Sequence, residues 1–97
     1  MPILTLDVPA TATYGAAVPI KALMPEKSIQ FTGLSGSTLQ VEGSNDNASW
    51  AQLGSDVTVD GFVAVTTPAQ FLRLRATVRA GDTPVAVLCG LGVGYTS

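Results

Sequence analysis

Three arginines at alternating positions are the densest set of chemistry-bearing side chains in this 97-residue chain. They are Arg73, Arg75 and Arg79, in the run Phe71-Leu-Arg-Leu-Arg-Ala-Thr-Val-Arg79. Successive side chains of a strand point to opposite faces. Alternation therefore puts Leu72, Leu74, Ala76 and Val78 on one face and the three guanidiniums on the other, with Thr77 between. Same-face neighbours on a strand lie roughly 6.5–7 Å apart. Guanidiniums at that spacing fork onto carboxylates. The acids could be Glu42, Asp56 or Asp60 across the sheet, or groups on a partner. Asn45-Asp46-Asn47 offers the carboxylate and amide oxygens that hard cations take, but it lacks the spaced second and third acids of a calcium loop. It reads as a turn in which Asn and Asp side chains bond their own backbone.

The remaining chemistry is sparse. Cys89 is the only cysteine and sits in the apolar run Val85-Ala-Val-Leu-Cys-Gly-Leu91. It reads as a buried thiol, and no disulfide can form within one chain. The chain contains no histidine. That rules out Ser-His-Asp and Cys-His arrangements and any His-based zinc site. The glycine-rich end, Cys89-Gly-Leu-Gly-Val-Gly-Tyr-Thr-Ser97, lacks the lysine and following helix of a phosphate loop. Its glycines alternate with Leu91, Val93 and Tyr95, which suits an extended tail close to another backbone, or a frayed terminus. No catalytic residue, cofactor-binding residue or metal ligand is expected, and no cofactor.

The elements that must carry these groups are short strands. Leu39, Val41 and Gly43 alternate with Gln40 and Glu42, the period of a half-buried strand. Ser44 to Asn47 turns, and the lone tryptophan, Trp50, opens a strand to Leu53. Ser28–Thr32 puts Ile29 and Phe31 on one face. Asp60-Gly61 is a hairpin signal between Val57–Val59 and Phe62–Thr66. Ala80-Gly-Asp-Thr-Pro84 turns from the long Phe71–Arg79 strand into Val85–Leu91. About eight short strands at this spacing, with no helical period, predict an all-β fold: a single antiparallel β-sandwich or jelly-roll-like barrel. The expected core is Ile29, Phe31, Leu39, Val41, Trp50, Leu72, Leu74, Val78, Val85 and Val87. Residues 1–27 read as a short strand, an almost chargeless stretch Pro9–Ala17 and an edge strand near Pro19. Together they form an N-terminal arm or surface loop ahead of a body at 28–97.

Composition bears on partners. Charged residues are 12% against roughly 25% in an ordinary domain, while hydrophobic residues are 46%. Mean hydropathy is +0.38 and the sequence pI is near 4.6. So few charges imply either a Ser/Thr/Asn/Gln-rich surface or a surface covered by neighbours in an assembly. The net charge of −2 and the absence of a basic cluster argue against nucleic acid. No apolar run reaches the length of a membrane helix. Met1–Asp7 lacks the basic start and long apolar run of a signal peptide, so synthesis in the cytoplasm without secretion is expected. The sequon Asn47-Ala48-Ser49 then reads as a turn.

The run Val41-Glu-Gly-Ser-Asn-Asp-Asn-Ala-Ser-Trp50, with Pro68-Ala-Gln-Phe-Leu-Arg-Leu-Arg75 some twenty residues later, resembles two groups of proteins. One is the discoidin-like, galactose-binding-like jelly roll, in which a Gly-Ser-x-Asp turn precedes a Trp-opened strand and an Arg-bearing strand follows. The other is a group of small tailed-bacteriophage virion proteins that decorate or cement the capsid shell. The resemblance spans roughly residues 28–91. The chain is much shorter than a discoidin domain, lacks the cysteine pair that often links its ends, and has only six aromatics for ligand-binding loops. The virion proteins are therefore the nearer resemblance. It implies a non-enzymatic structural protein on the virion capsid surface, in contact with the major capsid protein and working as a homo-oligomer, a trimer being the first expectation. The expected partner contacts are Tyr14, Val18, Arg73, Arg75, Arg79 and Tyr95. The other resemblance implies a carbohydrate- or receptor-binding module of a phage tail or fibre, which would need Tyr14 and Trp50 exposed beside polar groups.

Overall fold

The computed structural model describes residues 3–20, 26–67 and 69–91. Eight strands run in order: β1 Ile3–Leu6, β2 Val18–Pro19, β3 Glu26–Thr32, β4 Thr38–Ser44, β5 Ala51–Gln52, β6 Gly61–Val65, β7 Phe71–Val78 and β8 Val85–Leu91. They make two four-stranded sheets, β1-β8-β3-β6 and β2-β7-β4-β5. Every pairing is antiparallel. Four pairings, β1 with β8, β2 with β7, β3 with β6 and β4 with β5, are those of one long hairpin folded back at the β4–β5 turn. Two further ladders, β3 with β8 and β4 with β7, roll that hairpin into two sheets. This is the strand order of an eight-stranded jelly roll, an antiparallel β-sandwich.

The core lies between the sheets. Ile29 and Phe31 of β3, Leu39 and Val41 of β4, and Leu72, Leu74 and Ala76 of β7 are buried there, with Leu6, Ala86 and Leu88. Period-2 alternation placed the first six of these correctly, because each strand has polar residues on its other parity. Val85 and Val87, expected inside, lie on the opposite parity of β8 from Ala86 and Leu88. Val85 is 46% exposed and Val87 is half-buried. That run is apolar on both parities, so alternation does not choose its face.

Val78 is also corrected outward, at 50% exposure. Thr38 pairs with Val78, but Leu39 pairs with Ala76, so β7 spends two residues where β4 spends one. The bulge at Thr77 reverses the parity of everything after it. Trp50 precedes β5 and is half-buried outside the sandwich rather than in its core.

Residues 3–20 supply a strand to each sheet. Between those strands, the Gly15 amide donates to the Leu74 carbonyl (2.7 Å), and the Ala76 amide donates to that of Thr13 (2.9 Å). Tyr14 forms a bridge to Arg75. A Cβ on Gly15 would run into the Asp7 carbonyl, so only glycine lets this segment lie so close. The expected Asp60-Gly61 hairpin is replaced by a crossing. Val57 bridges Leu39 in one sheet, while β6 pairs with β3 in the other. The Asp60 carboxylate instead accepts from the Gly33 and Leu34 amides (3.2 and 2.7 Å), tying the crossing to the β3–β4 turn.

Candidate interaction surfaces

The outer face of the β2-β7-β4-β5 sheet carries Arg73, Arg75 and Glu42 together with the rings of Tyr14 and Trp50. β7 projects Arg73 and Arg75 outward, opposite Leu72 and Leu74. Register places Glu42 of β4 beside Arg73 and Gln40 beside Arg75. Arg73 Nε donates to Glu42 Oε1 at 2.8 Å, with side-chain exposures of only 18% and 9%. The same guanidinium lies over two rings, 3.9 Å from the Tyr14 centroid and 4.1 Å from that of Trp50. Arg75 approaches the Tyr14 ring at 5.2 Å. Its guanidinium makes no hydrogen bond or ion pair among the described residues. Asp56, one of its expected partners, is held by the side-chain amides of Gln40 and Gln52 (3.0 and 2.9 Å).

Arg79 does not join this row. The bulge at Thr77 sends it to the opposite side, where Nη1 donates to Asp82 Oδ1 at 2.9 Å. Ser37 Oγ, almost fully buried, donates to the same Asp82 oxygen and accepts from Arg79 Nη1 and the Ala80 amide. The Ser35 and Ser37 amides donate to Asp82 Oδ2 (2.7 and 3.3 Å). These bonds, led by that from the Ser37 hydroxyl, hold the Asp82 carboxyl at about 2, below its usual 3.8. The cluster fastens the β3–β4 turn to the β7–β8 turn. Nothing in the sequence marked Ser37 and Asp82 as partners: they are 45 residues apart, and Asp82 read only as part of the Ala80–Pro84 turn.

At the other end, Ser44-Asn45-Asp46-Asn47 is a self-bonded turn. Asp46 Oδ1 accepts from the Ser49 and Ala48 amides (2.8 and 2.9 Å) and from the Ser44 hydroxyl. The Ser49 amide first, then those of Ala48 and the Ser44 hydroxyl, lower its carboxyl to about 2. Asn47 takes φ of 59°, a left-handed conformation that Asn tolerates. Among the described residues no group of three His, Cys, Asp or Glu could hold a metal ion.

The outer face of the other sheet is chemically opposite. One row across it reads Thr5, Val87, Gln30 and Phe62; the next contains Cys89, Ser28 and Ala64. None of the side chains in these two rows is charged. Phe62 is 73% exposed. Lys27 turns inward from β3, and its Nζ reaches the Thr67 carbonyl at 3.0 Å; burial lowers its pKa. Of the expected contact residues, Tyr14, Arg73 and Arg75 thus come together on the charged face. Val18 packs partly buried against the core, Arg79 belongs to the turn cluster, and Tyr95 lies outside the described residues. No protein-family model, curated protein or solved structure matches the chain.

Proposed function

We propose that the chain is a non-enzymatic structural protein of a bacteriophage virion, which lies on the capsid surface and fastens neighbouring capsid subunits. The observation that carries this reading is the contrast between its two outer faces. One bears Arg73, Arg75 and Glu42; the other, centred on Gln30 and Val87, has no charge in its two central rows. Uncharged rows can be covered without stranding a buried charge, the costliest defect of an interface. Burial of its apolar atoms contributes about 25 cal/mol per Å². Many copies on a symmetric lattice then hold by avidity rather than by one strong site. The jelly-roll order suits the reading without deciding it, because that architecture serves capsid proteins and lectins alike.

The reading is tested by sedimenting the chain with empty shells of the virus that encodes it. Gln30→Glu and Val85→Glu, both at exposed positions of that face, should release it from the shells. Arg75→Glu, on the opposite face, should not. Equal binding by all three variants would defeat this use of the face.

A second reading, a carbohydrate-binding module, is favoured by one observation: Tyr14 and Trp50 both reach the surface beside Arg73, Arg75 and Glu42. The Arg73 guanidinium already covers a face of each ring, which reduces what a sugar could stack on. Glycan-array binding lost in Tyr14→Ala would favour this second reading over the first.

A further inference from the structure

Two sheets give four edge strands: β1 and β6 in one, β2 and β5 in the other. An edge strand exposes unpaired N–H and C=O groups that another strand can pair with, so natural edges are kept short or broken by proline, charge or a bulge. β2 has two residues and one is Pro19, which has no N–H to donate. β5 has two residues, and β1 has four. β6 is the exception. Its five residues, Gly61-Phe-Val-Ala-Val65, contain no proline and no charge, and its ladder with β3 runs without a bulge. Alternate residues of an antiparallel strand turn both N–H and C=O away from their neighbour. Among the described residues, no backbone bond outside the β3 ladder reaches Gly61–Val65. Gly61–Ala64 of β6 line a shallow hollow together with the crossing segment from Gly54 to Asp60.

We infer that β6 is the pairing edge of a symmetric dimer. The β6 strand of a second copy lies antiparallel beside it and joins two four-stranded sheets into one of eight. The strand fits itself. A two-fold axis through Val63 sets Val63 against its own copy, Phe62 against Ala64 of the second copy, and Gly61 against Val65. Phe62 and Ala64 both stand on the outward face, so the large ring meets a small neighbour. The nearest charge, Asp60, falls opposite Thr66. The two Asp60 residues are then six strand positions apart, roughly 20 Å. A charged foreign strand would find nothing on β6 to complement it. The dimer also doubles the outer face centred on Gln30 and Val87, though it depends on no role for that face.

Sedimentation velocity across a concentration series tests the inference. The intact chain should shift from monomer to dimer as concentration rises. Ala64→Lys and Phe62→Lys place a charge in the pairing row at exposed positions, and each should sediment as monomer throughout with its circular-dichroism melt retained. In a Cys89→Ser background, Phe62→Cys combined with Ala64→Cys should give a covalent dimer under mild oxidation, because this register brings the introduced thiols opposite one another. The cross-link decides the matter should either lysine variant fold poorly. A chain that stays monomeric at millimolar concentration overturns the inference. So does a dimer indifferent to both lysines, or a β6 edge that becomes protected only when a different protein binds.

Discussion

Arg73→Ala should be among the most damaging substitutions on the surface of this domain. The guanidinium is removed from three partners at once: the Glu42 carboxylate at 2.8 Å and the rings of Tyr14 and Trp50 at 3.9 and 4.1 Å. Breaking a fully buried ion pair costs about 3–5 kcal/mol, because the remaining charge is left without compensation. Here the side chains keep 18% and 9% exposure, so water screens part of that. A figure of about 2–3 kcal/mol for the pair is more fitting. Each cation–π contact near a surface adds about 0.5–1 kcal/mol. The total is about 3–5 kcal/mol, and at roughly 4–8 °C per kcal/mol in a domain of this size the melting temperature should fall by more than ~12 °C. Urea unfolding of the single and double variants with Glu42→Gln gives the coupling directly, expected at about 1–3 kcal/mol. A loss below ~1 kcal/mol for Arg73→Ala, with coupling near zero, would mean an ordinary exposed pair and would refute this account of the stack.

Two further results follow from the structure. Asp82 has a folded pKa of about 2, below its usual 3.8, so its bonds stabilise the fold while it is ionised. That contribution is fully present above about pH 4 and is lost as pH falls through about 2. Melts of Asp82→Asn should therefore decline less steeply than wild type over this acid range; an unchanged acid slope would remove Asp82 from the stability account. Trp50→Ala should cost only about 1–2 kcal/mol, the scale of a ring stacked on a guanidinium. Leu74→Ala, in the core, should cost about 2–5 kcal/mol by chemical denaturation, and a reversed order would return Trp50 to the core.

The sequence shows the sandwich wherever polar and apolar residues alternate cleanly. β3 and β4, and β7 as far as Ala76, could be assigned a buried face from parity alone. Parity failed in two physically distinct ways. In β8 both parities are apolar, so the choice between Val85 and Ala86 is made by the sheet and not by the strand. In β7 the Thr77 bulge has no glycine or proline to announce it, yet it turns Val78 outward and withdraws Arg79 from the arginine row.

The N-terminal segment carries no side-chain signal of its attachment. Pro9–Ala17 has mostly small, uncharged side chains, and its anchors are backbone groups of Thr13 and Gly15 bonded to Ala76 and Leu74. Asp60-Gly61 carries hairpin chemistry, and the Asp60 side chain is spent instead on the Gly33 and Leu34 amides. At the candidate site, Arg73 and Glu42 were legible as cross-strand partners. The two rings that enclose Arg73 come from residues 14 and 50, far from it in sequence, and only the fold brings them there.

The central claim is that the outer face of the β1-β8-β3-β6 sheet, centred on Gln30 and Val87, is the one that meets the capsid. A cryo-electron microscopy reconstruction of empty shells saturated with the chain tests it most directly. The account predicts density for the sandwich at symmetric positions, with Gln30 and Val87 turned toward the shell and Arg75 and Tyr14 turned toward solvent. Bound density in the reverse orientation, or bare shells at saturating chain, would contradict it.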